Sequence, residues 1–309
     1  MKVKTLLLLA LGVTVGLIAL QPAQAAADSG LRIYVDNYGG TGLSVISMKT
    51  MKVIKTIPTG YHTHGLDASP DGRYVYVTVE TDHTLKEIDA ATGKVIKNVH
   101  LSGKPNEMAM TPNGKYMAVP IRTGGVVDVF SAPDLKLLKA VPVGEPHNCV
   151  SAGSNDYLFC EDRAYGAIDK IDVHALKVVQ TVATNGDPRP FAVTHDMKTA
   201  FVQCSDLHGF QAINLETGAV RTVVFPWTNG KNLVEPNTPS HGMSISPDGK
   251  QLWLSDSLDH AVWVYDIAAK KLLRKVAVAT TPLWITFTPD GKYCVIDCPG
   301  SDDTCIVNT

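Results

Sequence analysis

The string Ser69-Pro70-Asp71-Gly72-Arg73-Tyr74-Val75-Tyr76-Val77 returns as Thr111-Pro112-Asn113-Gly114-Lys115-Tyr116, as Ser246-Pro247-Asp248-Gly249-Lys250 and as Thr288-Pro289-Asp290-Gly291-Lys292-Tyr293. Degenerate copies begin near Ser154-Asn155-Asp156-Tyr157 and His195-Asp196-Met197-Lys198. With Pro70, Pro112, Ser154, His195, Pro247 and Pro289 as anchors, the spacings are 42, 42, 41, 52 and 42 residues. A constant period of this size marks a chain built from one repeated unit. The 52-residue interval holds an insertion around Phe225 to Pro239.

Within a unit, Pro presets φ and Gly accepts a positive φ, so Pro-Asp-Gly is a tight turn. It joins a strand such as Gly65 to Ser69 to one such as Arg73 to Val79; Leu85 to Asp89 and Val95 to Val99 supply a third and a fourth. Alternating β-branched and aromatic residues between turn clusters predict strands. Four strands in each unit, repeated around a ring, predict an all-β, seven-bladed β-propeller of four-stranded antiparallel blades. The middle hairpin occurs seven times, starting at Leu31, Arg73, Lys115, Tyr157, Thr199, Gln251 and Lys292. Only six inner and six outer strands are readable, 26 strands where seven full blades need 28. Ring closure is therefore expected to be incomplete or irregular.

Tyr76-Val77-Thr78-Val79, Ser69-Pro70-Asp71-Gly72 and Ile88-Asp89-Ala90-Ala91-Thr92-Gly93-Lys94-Val95 resemble the YVTN-type β-propeller repeat, as do Val264-Tyr265-Asp266-Ile267 and Val141-Pro142-Val143-Gly144-Glu145-Pro146-His147. The resemblance runs from residue 31 to the end and is nearest to YncE-like periplasmic propellers. It extends more distantly to the propeller domains of nitrous oxide reductase and of the haem d1 nitrite reductase group. It implies a fold rather than a function, because propellers host many unrelated activities.

Met1-Lys2-Val3-Lys4 is a basic start, Thr5 to Leu20 is almost unbroken apolar sequence, and Ala23-Gln24-Ala25 supplies small residues. That order reads as a signal peptide, 1–25, cut after Ala25, leaving one propeller domain over 26–309. A run of 16 apolar residues is shorter than the 20 or so that a membrane span needs. The expected location is periplasmic or secreted, with no membrane span after cleavage. The 309 residues are 45% hydrophobic and 19% charged with a net charge of −2, which excludes a disordered chain and gives no footprint for nucleic acid. A monomer is expected.

Equivalent positions on inner strands form rings around a propeller's channel. Six residues before each anchor stand His64, Asn106, Asn148 (or His147 after a one-residue gap), Arg189, His241 and Leu283, with His62, Glu107, Cys149 and Trp284 beside them. A polar belt at one channel mouth suits a small molecule or a protein partner. Trp227, in the insertion, is placed to overhang that mouth. A non-catalytic binding or scaffold role is the first expectation, with no cofactor. The alternative is an enzyme or redox subunit, with metal or haem at the hub, or a lactonase-like hydrolase; His64, His147 and His241 are then the metal candidates. No G-x-S-x-G, H-E-x-x-H, P-loop or G-x-G-x-x-G occurs. His83 and His260 read as matched turn residues, and His100, His174, His195 and His208 as surface singletons.

The six cysteines include no C-x-x-C or C-x-x-C-H. In an oxidising compartment disulfides persist. Cys298 and Cys305 lie in the final hairpin, where paired strands bring opposite residues within bridging distance, so a Cys298–Cys305 bond is expected.

Overall fold

The computed structural model describes residues 4–7, 17–20, 30–230 and 238–309, the first two segments as backbone. Seven four-stranded antiparallel sheets make up the chain, and no helix occurs among the described residues. Blade 2 is typical, with strands Thr63–Ala68, Tyr74–Val79, Thr84–Asp89 and Lys94–His100 from the channel outward. Its hairpin turn shows why the repeated string folds as it does. Ser69 Oγ donates to Asp71 Oδ1 at 2.6 Å, Asp71 Oδ1 accepts from Arg73 N at 3.0 Å, and Tyr74 N donates to Ser69 Oγ at 2.9 Å. Gly72 takes φ 69° at the corner. The same bonds recur at Thr111, Thr194, Ser246 and Thr288, so short polar side chains replace the backbone partners that a turn lacks.

The two strands missing from the repeat count are supplied by the amino-terminal end, which corrects the expectation of an incomplete ring. Leu17–Leu20 pairs with Arg32–Asp36 as the inner strand of blade 1, and Lys4–Leu7 pairs with Asp303–Asn308 as the outer strand of blade 7. The carboxy-terminal blade is thus completed by the opposite end of the chain. Both segments fall inside the stretch expected to be a leader.

Apolar side chains fill the seven interfaces between blades. Tyr76 and Leu85 of blade 2 pack with Met117, Val119 and Phe130 of blade 3, and Ile33 and Val35 of blade 1 pack with Val295 and Ile306 of blade 7. The outermost strands of blades 1, 2, 3, 4 and 6 carry a bulge. In blade 1 Val45 pairs with Lys55 and Ile46 with Val53, which leaves Ile54 unpaired and 46% exposed. Ile96, Leu138, Val179 and Leu273 are skipped in the same way, so these exposed apolar residues follow from bulge geometry. His83 and His260, with φ 51° and 52°, take the left-handed corner that Gly125 and Gly166 take in other blades, as the turn reading expects.

The expected Cys298–Cys305 bond is not formed. The loop has four residues, so Cys298 faces Asp303 and Cys305 faces Ile296; the two free sulfurs lie diagonally, 3.7 Å apart. The disulfide joins Cys149 to Cys160, directly opposed on the first two strands of blade 4.

Candidate functional site

Inner strands converge where only glycine fits. A Cβ on Gly242 would lie 1.7 Å from the carbonyl oxygen of Leu283, and one on Gly65 would lie 2.5 Å from that of Asn106. The inner strands of blades 2, 4 and 5 also bulge at their mouth ends. Thr63 pairs with Val79 but Leu66 with Val77, Pro146 with Asp162 but Cys149 with Cys160, and Pro188 with Cys204 but Phe191 with Val202. His64, His147, Asn148 and Arg189 occupy these bulges, the usual device for re-aiming side chains out of a strand. Polar residues of the second strand fill the space behind. Thr78 Oγ1 accepts from Gly65 N at 2.7 Å, Ser255 Oγ from His241 N at 3.0 Å and Gln203 Oε1 from Gly242 N at 2.5 Å, while Glu161 Oε1 meets His147 Nδ1 at 2.8 Å.

Aromatic rings line one side of the mouth. His62, held at φ 56°, is stacked between Tyr38 (4.5 Å, interplanar angle 1°) and Tyr61 (4.0 Å). Tyr38 meets His64 edge-on at 5.7 Å, and the Trp284 ring stands edge-on to His64 at 6.4 Å and to His241 at 5.4 Å. Ion pairs form the rest of the rim. Buried Glu80 binds Lys104 at 2.8 Å and Arg122 at 3.1 Å, and Arg163 forks onto Asp187 with two bonds of 2.8 Å. Arg189 donates to Ser205 Oγ at 2.7 Å.

Burial keeps the histidines neutral. It lowers His64 to about 4, with Arg122 and Lys104 adding to the fall against the opposing pull of Glu80. His147 and His241 are held well below the ordinary value by burial, and Arg189 and His64 push both further down. His147 also feels Arg122 and His241, so the three imidazoles and two of the arginines share one electrostatic neighbourhood. Several buried polar atoms have no hydrogen-bond partner, including His64 Nδ1, Asn106 Nδ2 and both amide atoms of Asn148. Among the described residues, no group of three His, Cys, Asp or Glu side chains stands close enough to hold a metal ion.

The structure therefore gathers His62, His64, His147, His241 and Trp284 at one mouth, with Glu107 4.0 Å from His64. The start of the insertion lies on the same face, where Thr228 donates to Asp259 and Gly230 packs on Leu258; Trp227 is 83% exposed. The middle of the insertion, 231–237, lies outside the described residues. Glu161, Arg122, Glu80 and Tyr38 went unnoticed in the sequence. The signal for Glu161 was a polar residue at a second-strand position, shared with Thr78, Gln203 and Ser255, inside otherwise apolar strands. His208 is no surface singleton: it bonds Asp256 across a blade interface at 2.9 Å and packs edge-on against Phe225.

Residues 35–152 match the cytochrome D1 heme domain family, a stretch that includes His62, His64, Asn106, Glu107 and His147. The chain is 26% identical over 135 residues to antigen Lp49 of Leptospira interrogans; the match covers 42% of this chain and 30% of that protein's length. Among solved structures, Kuenenia stuttgartiensis hydrazine synthase superposes with a TM-score of 0.78 at 18% identity, covering 90% of this chain and 92% of that one. The β-propeller domain of Myceliophteria thermophila Cps50 (Swd1) gives 0.77 at 13% identity over the whole of both chains. Dihydro-heme d1 dehydrogenase NirN, in complex with DHE, gives 0.66 at 17% identity over 91% of this chain and 62% of that one. The propeller fold is common to all three structures.

Proposed function

We propose that the chain is an exported binding propeller that takes a planar, carboxylate-bearing small molecule at the histidine-lined mouth of its channel. One observation carries the reading: a wall of aromatic rings faces the same mouth as Arg122, Arg189 and unpartnered buried polar atoms. Stacked rings favour a flat ligand. Arginine forks and an unpartnered amide donor, Asn106 Nδ2, favour one rich in acceptors, because a buried donor left unmade costs about 1–3 kcal/mol that a carboxylate would recover. The Cys149–Cys160 bond fits an oxidising compartment and supports export.

A tetrapyrrole is the specific form of this reading that the family match favours. The residues fit one. A haem iron needs a single neutral imidazole rather than a three-residue chelate, and His64, His147 and His241 are all kept neutral. Glu161 fixes the ring of His147 through Nδ1, the kind of outer contact that orients a ligating imidazole. Arg122 and Arg189 would meet the peripheral carboxylates, and Trp284 would lie against the macrocycle. Such a group would supply one-electron chemistry when bound. Absorption titration with metal-free protoporphyrin IX and with haemin tests both forms. Binding of both supports carboxylate and ring recognition, binding of haemin alone assigns the affinity to an imidazole, and binding of neither rejects the proposal.

A further inference from the structure

Below the histidine mouth the channel continues as a cavity of about 240 Å³, walled in part by Phe191, Met243 and Trp284 and lined by four polar side chains, Asp67, Glu107, Asn148 and Ser151. Asp67 accepts from Ala68 N through Oδ1 and from Met110 N through Oδ2, both at 2.7 Å. Glu107 is looser. Its Oε1 has only a 3.5 Å contact with Leu66 N, and Oε2 has no hydrogen-bond partner. Asn148 is 1% exposed, and neither its amide oxygen nor its nitrogen is bonded. No lysine or arginine lines the cavity. The wall thus offers two carboxyl groups and a free amide, and nothing positive to meet them.

We infer that this cavity binds a small organic monocation, an amine or alkylammonium ion, whose charge Glu107 meets and whose apolar part packs against Trp284 and Phe191. A metal ion is the poorer fit. A hard cation needs a shell of six or more oxygens, and here no three donor side chains stand together. Aromatic walls, by contrast, attract ammonium groups through their ring faces. The volume is below that of sites for drug-sized molecules, which limits the guest to a compact amine.

Burial, with Asp67 adding to it, raises Glu107 to about 8, and burial raises Asp67 to about 6. The titratable groups facing Glu107 are His64, 4.0 Å away and held neutral, and Asp67, both from the inner strand of blade 2. From blade 4 the cavity receives only uncharged residues, including disulfide-bonded Cys149. This site adjoins the mouth and shares Trp284 with it, but it takes the opposite charge and stands whether or not a carboxylate binds there.

Calorimetric titration with benzylamine and with tetramethylammonium, against benzyl alcohol as the uncharged counterpart, tests it. At least one of the two cations should bind ten-fold or more tighter than the alcohol. Glu107→Gln should lose that affinity. If that variant does not fold, the contrast between cation and alcohol in the wild type decides alone. No heat from either cation, or equal binding of the alcohol, overturns the inference.

Discussion

Gly242→Ala probes the convergence of inner strands that positions His241 and Trp284. A Cβ at this position would stand 1.7 Å from Leu283 O and 2.7 Å from its carbonyl carbon. Real Cβ contacts are essentially never under 3.0 Å, so the strands of blades 6 and 7 would have to part by more than an ångström at the mouth. Overpacking of this kind costs about 1–3 kcal/mol in a well-packed interior. Gly242 N also donates to Gln203 Oε1, and Gly242 O accepts from Ser255 N at 2.9 Å. Weakening two buried bonds adds about 1 kcal/mol each. The expected loss is about 3–5 kcal/mol. Gly249→Ala is the matched control, because Gly249 has φ 72° and open space where a Cβ would go. Its cost should be the left-handed strain alone, about 1–2 kcal/mol. Urea unfolding of both variants compares them directly. Equal losses would refute the close approach of the inner strands.

Denatured, unreduced protein should show four free thiols, with peptide mapping linking Cys149 to Cys160; a bond between Cys298 and Cys305 would contradict the observed register. Reducing the Cys149–Cys160 bond, whose partners are 11 residues apart, should lower stability by about 3 kcal/mol in guanidinium titrations. Glu107 binds its proton more tightly in the fold than in the unfolded chain, so its contribution to stability is full below the ordinary carboxylate range and is lost as pH rises toward about 8. Stability of Glu107→Gln relative to wild type, followed by urea unfolding from pH 5 to 9, should therefore improve with pH and level off above 8; a flat difference would refute the raised value. In chain 26–309 the strands Arg32–Asp36 and Asp303–Asn308 each lose a neighbour. Hydrogen exchange should find those amides less protected than in chain 1–309, and equal protection would show that Lys4–Leu7 and Leu17–Leu20 do not close the ring.

Seven blades were legible because the Pro-Asp-Gly string recurs with its short polar side chains, and those same side chains make the turn. Closure was not, because an apolar run with a basic start carries the marks of a leader, and the alternation that betrays a strand is absent from Leu17-Ile18-Ala19-Leu20. The disulfide was missed through phase. Residues equidistant from a hairpin turn pair across it, and the degenerate anchor at Ser154 is displaced by one, which hid the opposition of Cys149 and Cys160. The same slip left the choice between His147 and Asn148 open, and the bulge in that inner strand shows why: His147 turns toward Glu161 while Asn148 lines the channel. The histidine belt could be read from repeat positions on the inner strands. Arg122 and Glu80 follow the second strands, where no periodicity reports direction, and only the assembled ring brings them to His64.

The most direct test of the mouth as a ligand site is the equilibrium titration of haemin into wild-type protein and into a variant carrying His64→Ala, His147→Ala and His241→Ala, followed by the Soret band. Wild type should give a saturable shift at one equivalent, and the variant, with its fold verified by circular dichroism, should give none. The same shift in a folded variant, or no shift in the wild type, would contradict the assignment of the mouth.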